Sequence, residues 1–187
     1  MYKTEHLCYT FLKIQRFLRY HGKTTASVEE AQALGAALDQ DVERWRGDIT
    51  GAVQFLRQHD ATRQANGRDR LAFACFSLGG GYALDMSVIL AEQIAAVVTF
   101  YDAYPGLDYS SGQAAYLFHF AEHDPFHPAE SAVEMERSLQ AARRPVTVHI
   151  YPGTKHWFCE ENRPEYDPEA ARLAWERTIE FLHEWLE

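Results

Sequence analysis

Cysteine is scarce in this chain: three among 187 residues, Cys8, Cys75 and Cys159. An odd, scattered set builds no disulfide framework, and without a C-x-x-C pair it suggests no zinc site. A reducing, cytoplasmic setting is expected. Positive charge is in deficit too. Eighteen Lys and Arg against 27 Asp and Glu leave a formal net charge of −9. No basic stripe accompanies it, which argues against a nucleic-acid partner. No apolar run approaches the roughly 18 residues of a membrane-crossing helix, so no membrane partner is expected. The opening stretch MYKTEHLCYTFLKIQRFLRYHGK interleaves Lys and Arg with apolar residues and lacks the uninterrupted centre of a signal peptide. Internal repeats and low-complexity tracts are also missing.

What is present suits one soluble domain: 47% hydrophobic and 24% charged residues in a length that is short for two cores. Leu7, Phe11, Ile14 and Leu18 recur at helical spacing and predict an amphipathic N-terminal helix. Ser27 has the character of an N-cap for a helix starting at Val28, with Glu30 at the capping-box position. A second helix is predicted over 41–59, with Trp45, Ile49, Val53 and Phe55–Leu56 as its apolar stripe. From Arg70 the pattern alternates. Apolar strands are predicted at 70–76, 95–101, 115–120 and 146–151, and helices at 79–93, 128–143 and 168–186. The last helix carries Ala171, Trp175, Ile179, Leu182 and Leu186 as its expected buried row. Alternation of this kind predicts an α/β fold, a mostly parallel sheet flanked by helices.

Functional groups on such a sheet collect beyond the carboxyl ends of the strands. Ser77, Asp124 and His156 each follow a predicted strand, so all three should reach one edge. Their order, Ser then Asp then His, is the order of the α/β-hydrolase triad. Around Ser77 the chain reads Cys75-Phe76-Ser77-Leu78-Gly79, a nucleophile elbow with cysteine at the first glycine position. The elbow asks for small residues on both sides of the serine. The Leu78 N–H, at the start of the following helix, is the natural oxyanion donor. A serine hydroxyl needs an imidazole to take its proton and a carboxylate to orient that imidazole, and His156 and Asp124 are the right types. Each residue also has a plainer reading. Ser77 could cap a helix, Asp124 could form the turn before Pro125, and His156 could be a loop histidine.

The motifs resemble those of the dienelactone hydrolase family: CFSLGGGYA its nucleophile segment, AEHDPFHP its aspartate loop, YPGTKHWF its histidine loop, and YDPEAARLAWERTIEFL its closing helix. The likeness covers roughly 41–187, leaving 1–40 as a divergent, helical N-terminal segment of a single domain. It implies an α/β-hydrolase fold, no cofactor, and hydrolysis of a small-molecule ester or lactone through an acyl-enzyme. Ser77 would be the nucleophile, Asp124 the orienting acid and His156 the base. Two departures concern the site. Founding members carry cysteine where this chain has Ser77. Enzymes acting on dienelactone hold its carboxylate with an arginine shortly after the histidine, where this chain reads Trp157-Phe158-Cys159-Glu160. A third is the absence of the strands that family members place before the long helix. Their loss would leave 70–76 as an apolar sheet edge in need of cover, met by a homo-oligomer, the N-terminal helix or another segment. A non-catalytic binding or scaffold subunit is the alternative from another class.

Three further expectations concern individual side chains. Trp157 and Phe158 either line an acyl pocket or pack beneath the histidine loop. His119, His123 and His127 suggest metal ligands. Strand-to-loop geometry would scatter them, so no metal is expected. Cys75 and Cys159 are read as small buried residues and not as nucleophiles.

Overall fold

A computed structural model of the chain describes residues 27–59 and 70–186. The predicted helix stripe of Leu7, Phe11, Ile14 and Leu18, the connection at 60–69 and Cys8 lie outside those residues. The chain divides at Asp69/Arg70 into two compact units.

In the first unit, α1 spans Val28–Asp39 and α2 spans Val42–Gln58. The Glu30 N–H donates to Ser27 Oγ at 3.3 Å, the capping bond that the sequence predicts. Helix α2 buries Trp45, Ile49 and Val53, but Phe55 is exposed. Phe55 stands only two positions beyond Val53, about 200° around the helix, so it cannot share that stripe.

The second unit is a four-stranded parallel sheet in the order β1 (Leu71–Phe76), β2 (Ile94–Phe100), β3 (Ala115–His123) and β4 (Val146–Lys155). The helices are α3 (Gly79–Ile89), α4 (Ala129–Ala141) and α5 (Pro168–Leu186). Strand β2 is buried from end to end, as a central parallel strand should be. Predicted strand positions hold, but β3 and β4 run on to His123 and Lys155. Helix α3 stops at Ile89, short of the expected 93, and turns carry the chain into β2.

Pairing register aligns Phe76, Phe100, His119 and His149 across all four strands. Their rings follow one another, Phe76 on Phe100 at 4.4 Å and Phe100 on His119 at 4.6 Å. Buried His119 is satisfied by the Tyr151 hydroxyl at 2.8 Å and Thr178 Oγ at 2.9 Å. Thr178 donates its own proton to the Ala174 carbonyl, so it accepts from His119 Nε2–H, and Nδ1 accepts from Tyr151. Burial, with the neighbouring His149 and Arg177 charges, pushes His119 down to about 3, so it is a neutral core residue.

This bond also fixes the rotation of α5. Its buried row is Ala171, Ala174, Thr178, Phe181 and Leu182. Of the row expected inside, Trp175 is exposed and Ile179 and Leu186 are half-buried, because small Ala174 and Thr178 let the helix approach His119. Trp175 instead lies at the margin, its ring 6.0 Å from Phe76 and 5.4 Å from Phe100.

Candidate active site

Each predicted site residue comes directly after a strand: Ser77 after β1, Asp124 after β3, His156 after β4. Parallel strands bring these three ends to one edge of the sheet. Ser77 Oγ lies 2.9 Å from His156 Nε2, and His156 Nδ1 lies 2.7 Å from Asp124 Oδ2. His156 and Asp124 are buried, while Ser77 is half-buried.

The elbow is a strained turn. Ser77 has φ of 48°, a left-handed conformation that costs a non-glycine residue about 1–3 kcal/mol. It is pinned from both sides. The Ser77 N–H donates to the Phe100 carbonyl at 3.0 Å, and the Gly80 N–H donates to the Ser77 carbonyl at 2.7 Å. Helix α3 then begins at once, and Leu78 heads its first turn.

The three glycines after Leu78 are not equally constrained. A Cβ on Gly79 would meet Cys75 Cβ at 3.9 Å, an ordinary contact, so cysteine two before the serine does not crowd Gly79. Gly80 is the constrained position. A Cβ there would fall 2.5 Å from Asp102 Oδ2 and 2.8 Å from Asp102 Cβ.

His156 reaches the site through an irregularity in β4. Ala121 pairs with Tyr151 and His123 with Lys155, so β4 carries two extra residues. They include Pro152 and Gly153, the latter at φ of 72°, where glycine is favoured. The Gly153 N–H donates to Glu122 at 2.7 Å, tying the bulge to the end of β3.

Asp124 divides its two oxygens. Oδ2 faces His156, and Oδ1 accepts the N–H groups of Phe126 at 2.8 Å and His127 at 3.1 Å. Burial pushes its carboxyl up, but the His156 bond and these amides outweigh burial and hold it below the usual carboxylate range. An ionised Asp124 only accepts, so His156 Nδ1 carries the proton and donates it. Nε2 of the neutral ring then accepts from the Ser77 hydroxyl. The arrangement can pass a proton from serine to imidazole without moving either heavy atom far.

Aromatic rings fence the imidazole. Tyr101, at φ of 48°, lies 4.6 Å from it, Phe126 4.8 Å and Trp157 4.8 Å. The sequence reading missed Tyr101 and Phe126. A hydrophobic residue just past a strand end gives no signal of its own. Phe158 is fully buried between Tyr101 and Tyr151, which fits the packing alternative and leaves no surface for a ligand. Trp157 is half-buried and carries the Arg163 guanidinium 4.3 Å above its ring. Glu160 accepts from the Tyr101 hydroxyl at 3.3 Å and sits 3.7 Å from Arg163.

The histidine cluster comes apart as the strand geometry requires. His119 is in the core, exposed His123 faces Glu122 at 3.4 Å, and His127 faces Asp102 at 2.9 Å. Among the described residues no group of three or more His, Cys, Asp or Glu is placed to hold a metal ion. Burial, with the charge of Glu160, pushes the Cys159 thiol up to about 12, unsuited to a thiolate nucleophile. Cys75 and Cys159 are both half-buried, more exposed than expected.

The sequence profile of the dienelactone hydrolase family matches residues 15–186. The chain belongs to the dienelactone hydrolase family. The match takes in most of the 1–40 segment read above as divergent. A Bradyrhizobium protein assigned by name as a 2-oxo-3-(5-oxofuran-2-ylidene)propanoate lactonase is 31% identical over 150 residues, covering 72% of this chain and 57% of that protein. One from Azospirillum brasilense, assigned as a carboxymethylenebutenolidase, is 31% identical over 169 residues, covering 88% and 68%. The chain thus spans under three fifths of the first relative's length. The solved structure designated m3DLH superposes with a TM-score of 0.74 at 21% identity, covering 89% of this chain and 71% of that one. At that identity the likeness speaks for the fold: four parallel strands flanked by helices in the manner of dienelactone hydrolase family α/β-hydrolases. No helix among the described residues is long and apolar enough to cross a membrane.

Proposed function

We propose that this chain is a serine hydrolase that cleaves a carboxylic ester or lactone through an acyl-enzyme, with Ser77 as nucleophile, His156 as base and Asp124 as orienting acid. The observation that carries it is the unbroken relay of 2.9 Å and 2.7 Å from Ser77 through His156 to Asp124. Ser77 Oγ attacks the acyl carbon as its proton passes to His156 Nε2. Asp124 stays ionised and stabilises the imidazolium. The Leu78 N–H, in the first turn of α3, stabilises the oxyanion, helped by the helix dipole. His156 then protonates the departing alkoxide, and a water deprotonated by the same ring hydrolyses the acyl-serine. Family membership and the lactonase and carboxymethylenebutenolidase names of its relatives support an ester or lactone as substrate. Glu160, in the region where dienelactone-cleaving enzymes place an arginine, argues for a substrate without a carboxylate at that point.

Covalent labelling by a fluorophosphonate tests this reading. Labelling at Ser77 that Ser77→Ala removes, together with p-nitrophenyl ester hydrolysis, is the expected result. Robust hydrolysis that survives Ser77→Ala would sink the mechanism. The rival, a binding or scaffold subunit with a vestigial relay, draws on Leu78 being the one oxyanion donor identified among the described residues. Losing one donor costs about a hundredfold to a thousandfold, so that rival predicts labelling slowed by this order.

A homo-oligomer covering the β1 edge belongs to the same proposal. β1 is outermost in the described sheet, and Phe76 and Trp175 beside it are each 36% exposed. A cytoplasmic location rests on the cysteine count.

A further inference from the structure

A second carboxylate and a second histidine lie beside the relay without belonging to it. Asp102 is buried just beyond the end of β2. Its Oδ2 accepts the Gly81 N–H at 2.6 Å, in the first turn of α3. Its Oδ1 accepts the Ala103 N–H at 2.8 Å and faces His127 Nε2 at 2.9 Å. His127 in turn donates its backbone N–H to Asp124 Oδ1. A continuous path therefore runs from the acid loop through the His127 ring and Asp102 into the helix behind the nucleophile. It uses Asp124 Oδ1 alone, leaving Oδ2 to His156. Gly80 is shaped to this path, because any larger residue would strike Asp102.

We propose that Asp102 and His127 are a positioning pair that straps the loop carrying Asp124 to the first turn of α3, holding acid and nucleophile at relay distance. The inference deepens the hydrolase reading and rests on it. Three strand ends meet at the site, and each loop could drift alone. The strap joins the loop after β3, through Asp102 beyond β2, to the helix that presents Leu78. It has an electrostatic side as well. A bare Asp102 carboxylate near the α3 N-terminus would oppose an oxyanion there, and a protonated His127 offsets it. The charged groups facing His127 are Asp102 beyond β2 and Asp124 beyond β3. Burial pulls the His127 proton off, but the Asp102 hydrogen bond and charge, then the Asp124 charge, outweigh burial and raise it above the ordinary histidine value. The strap should therefore slacken as pH rises through that raised range.

Asp102→Asn, His127→Gln and their double variant in the full chain test it by two independent measurements. The first is amide exchange at Phe126 and His127, which needs no activity. Either single variant should speed it markedly, and unchanged exchange overturns the strap. The second is ester hydrolysis. Each single variant should lower kcat roughly tenfold to a hundredfold with KM little changed, since displacement of about 1 Å has this order of effect. The double variant should be no worse than one single variant, and the alkaline limb of the wild-type kcat profile should vanish in His127→Gln. Unchanged kcat, or losses that multiply in the double variant, overturns the proposal. If the wild type neither hydrolyses esters nor takes a fluorophosphonate at Ser77, the hydrolase reading fails, and the strap is decided by exchange alone.

Discussion

Alanine at Gly80 should damage this protein far more than alanine at Gly79, although the two glycines are adjacent. The added methyl at Gly80 would stand 2.5 Å from Asp102 Oδ2, 2.8 Å from its Cβ and 3.0 Å from its Cγ. Carbon atoms rest comfortably at about 3.5–4.0 Å, so a displacement of roughly 1 Å is needed. Rotating the carboxylate away cannot relieve the contact with Asp102 Cβ, because Cβ is fixed to the backbone. The end of β2 or the start of α3 must shift. Overpacking of this kind costs about 1–3 kcal/mol. Movement of Asp102 also strains its bonds from Gly81 and His127. A hydrogen bond to a charged group contributes about 1.5–3 kcal/mol, so the two together come to roughly 2.5–6 kcal/mol. At Gly79 the methyl meets one ordinary contact at 3.9 Å. Loss of glycine's chain entropy there is neutral to stabilising, by up to about 1 kcal/mol. Urea unfolding followed by circular dichroism measures both, with ester hydrolysis run alongside. A Gly80→Ala protein within about 0.5 kcal/mol of wild type, the usual scatter of innocuous surface changes, would refute the close approach of Asp102 to α3.

Further outcomes follow from the same geometry. Asp124→Asn should leave the protein folded but lower kcat by about a thousandfold to ten-thousandfold, because the amide can hold the wrong His156 tautomer; steady-state ester kinetics check this. Two ionisations should shape stability in opposite senses. Asp124 is held below its unfolded value, so its contribution is present above the ordinary carboxylate range and lost as pH falls through its depressed value. His127 is held above its unfolded value, so its contribution is complete below about pH 6.5 and lost as pH rises through the raised value. Melting temperature against pH should show both limbs, and His127→Gln should flatten only the alkaline one. Zinc should not raise the melting temperature, since His119 and His127 already have protein partners; a clear rise would reopen the metal reading. Light scattering after size-exclusion chromatography should find more than one copy per particle, and a stable monomer would remove the oligomer proposal.

The order of strands and helices after Arg70 was legible because buried parallel strands must be apolar nearly throughout and the helices between them periodic. The candidate residues were legible for a related reason. A parallel sheet sends every strand's carboxyl end to one edge, so Ser77, Asp124 and His156 could be matched by their place after strands before any distance was known. The rotation of α5 was not legible, because Trp175 and Ile179 outrank Ala174 and Thr178 in hydrophobicity. Only the bond between Thr178 and buried His119 reverses that order. Nor could the sequence tell which glycine is indispensable, or that His127 turns to Asp102 and away from His119 and His123. Those facts depend on which atoms approach across elements far apart in the chain. Local pattern determines the element and its edge; packing between elements decides which side chain faces which.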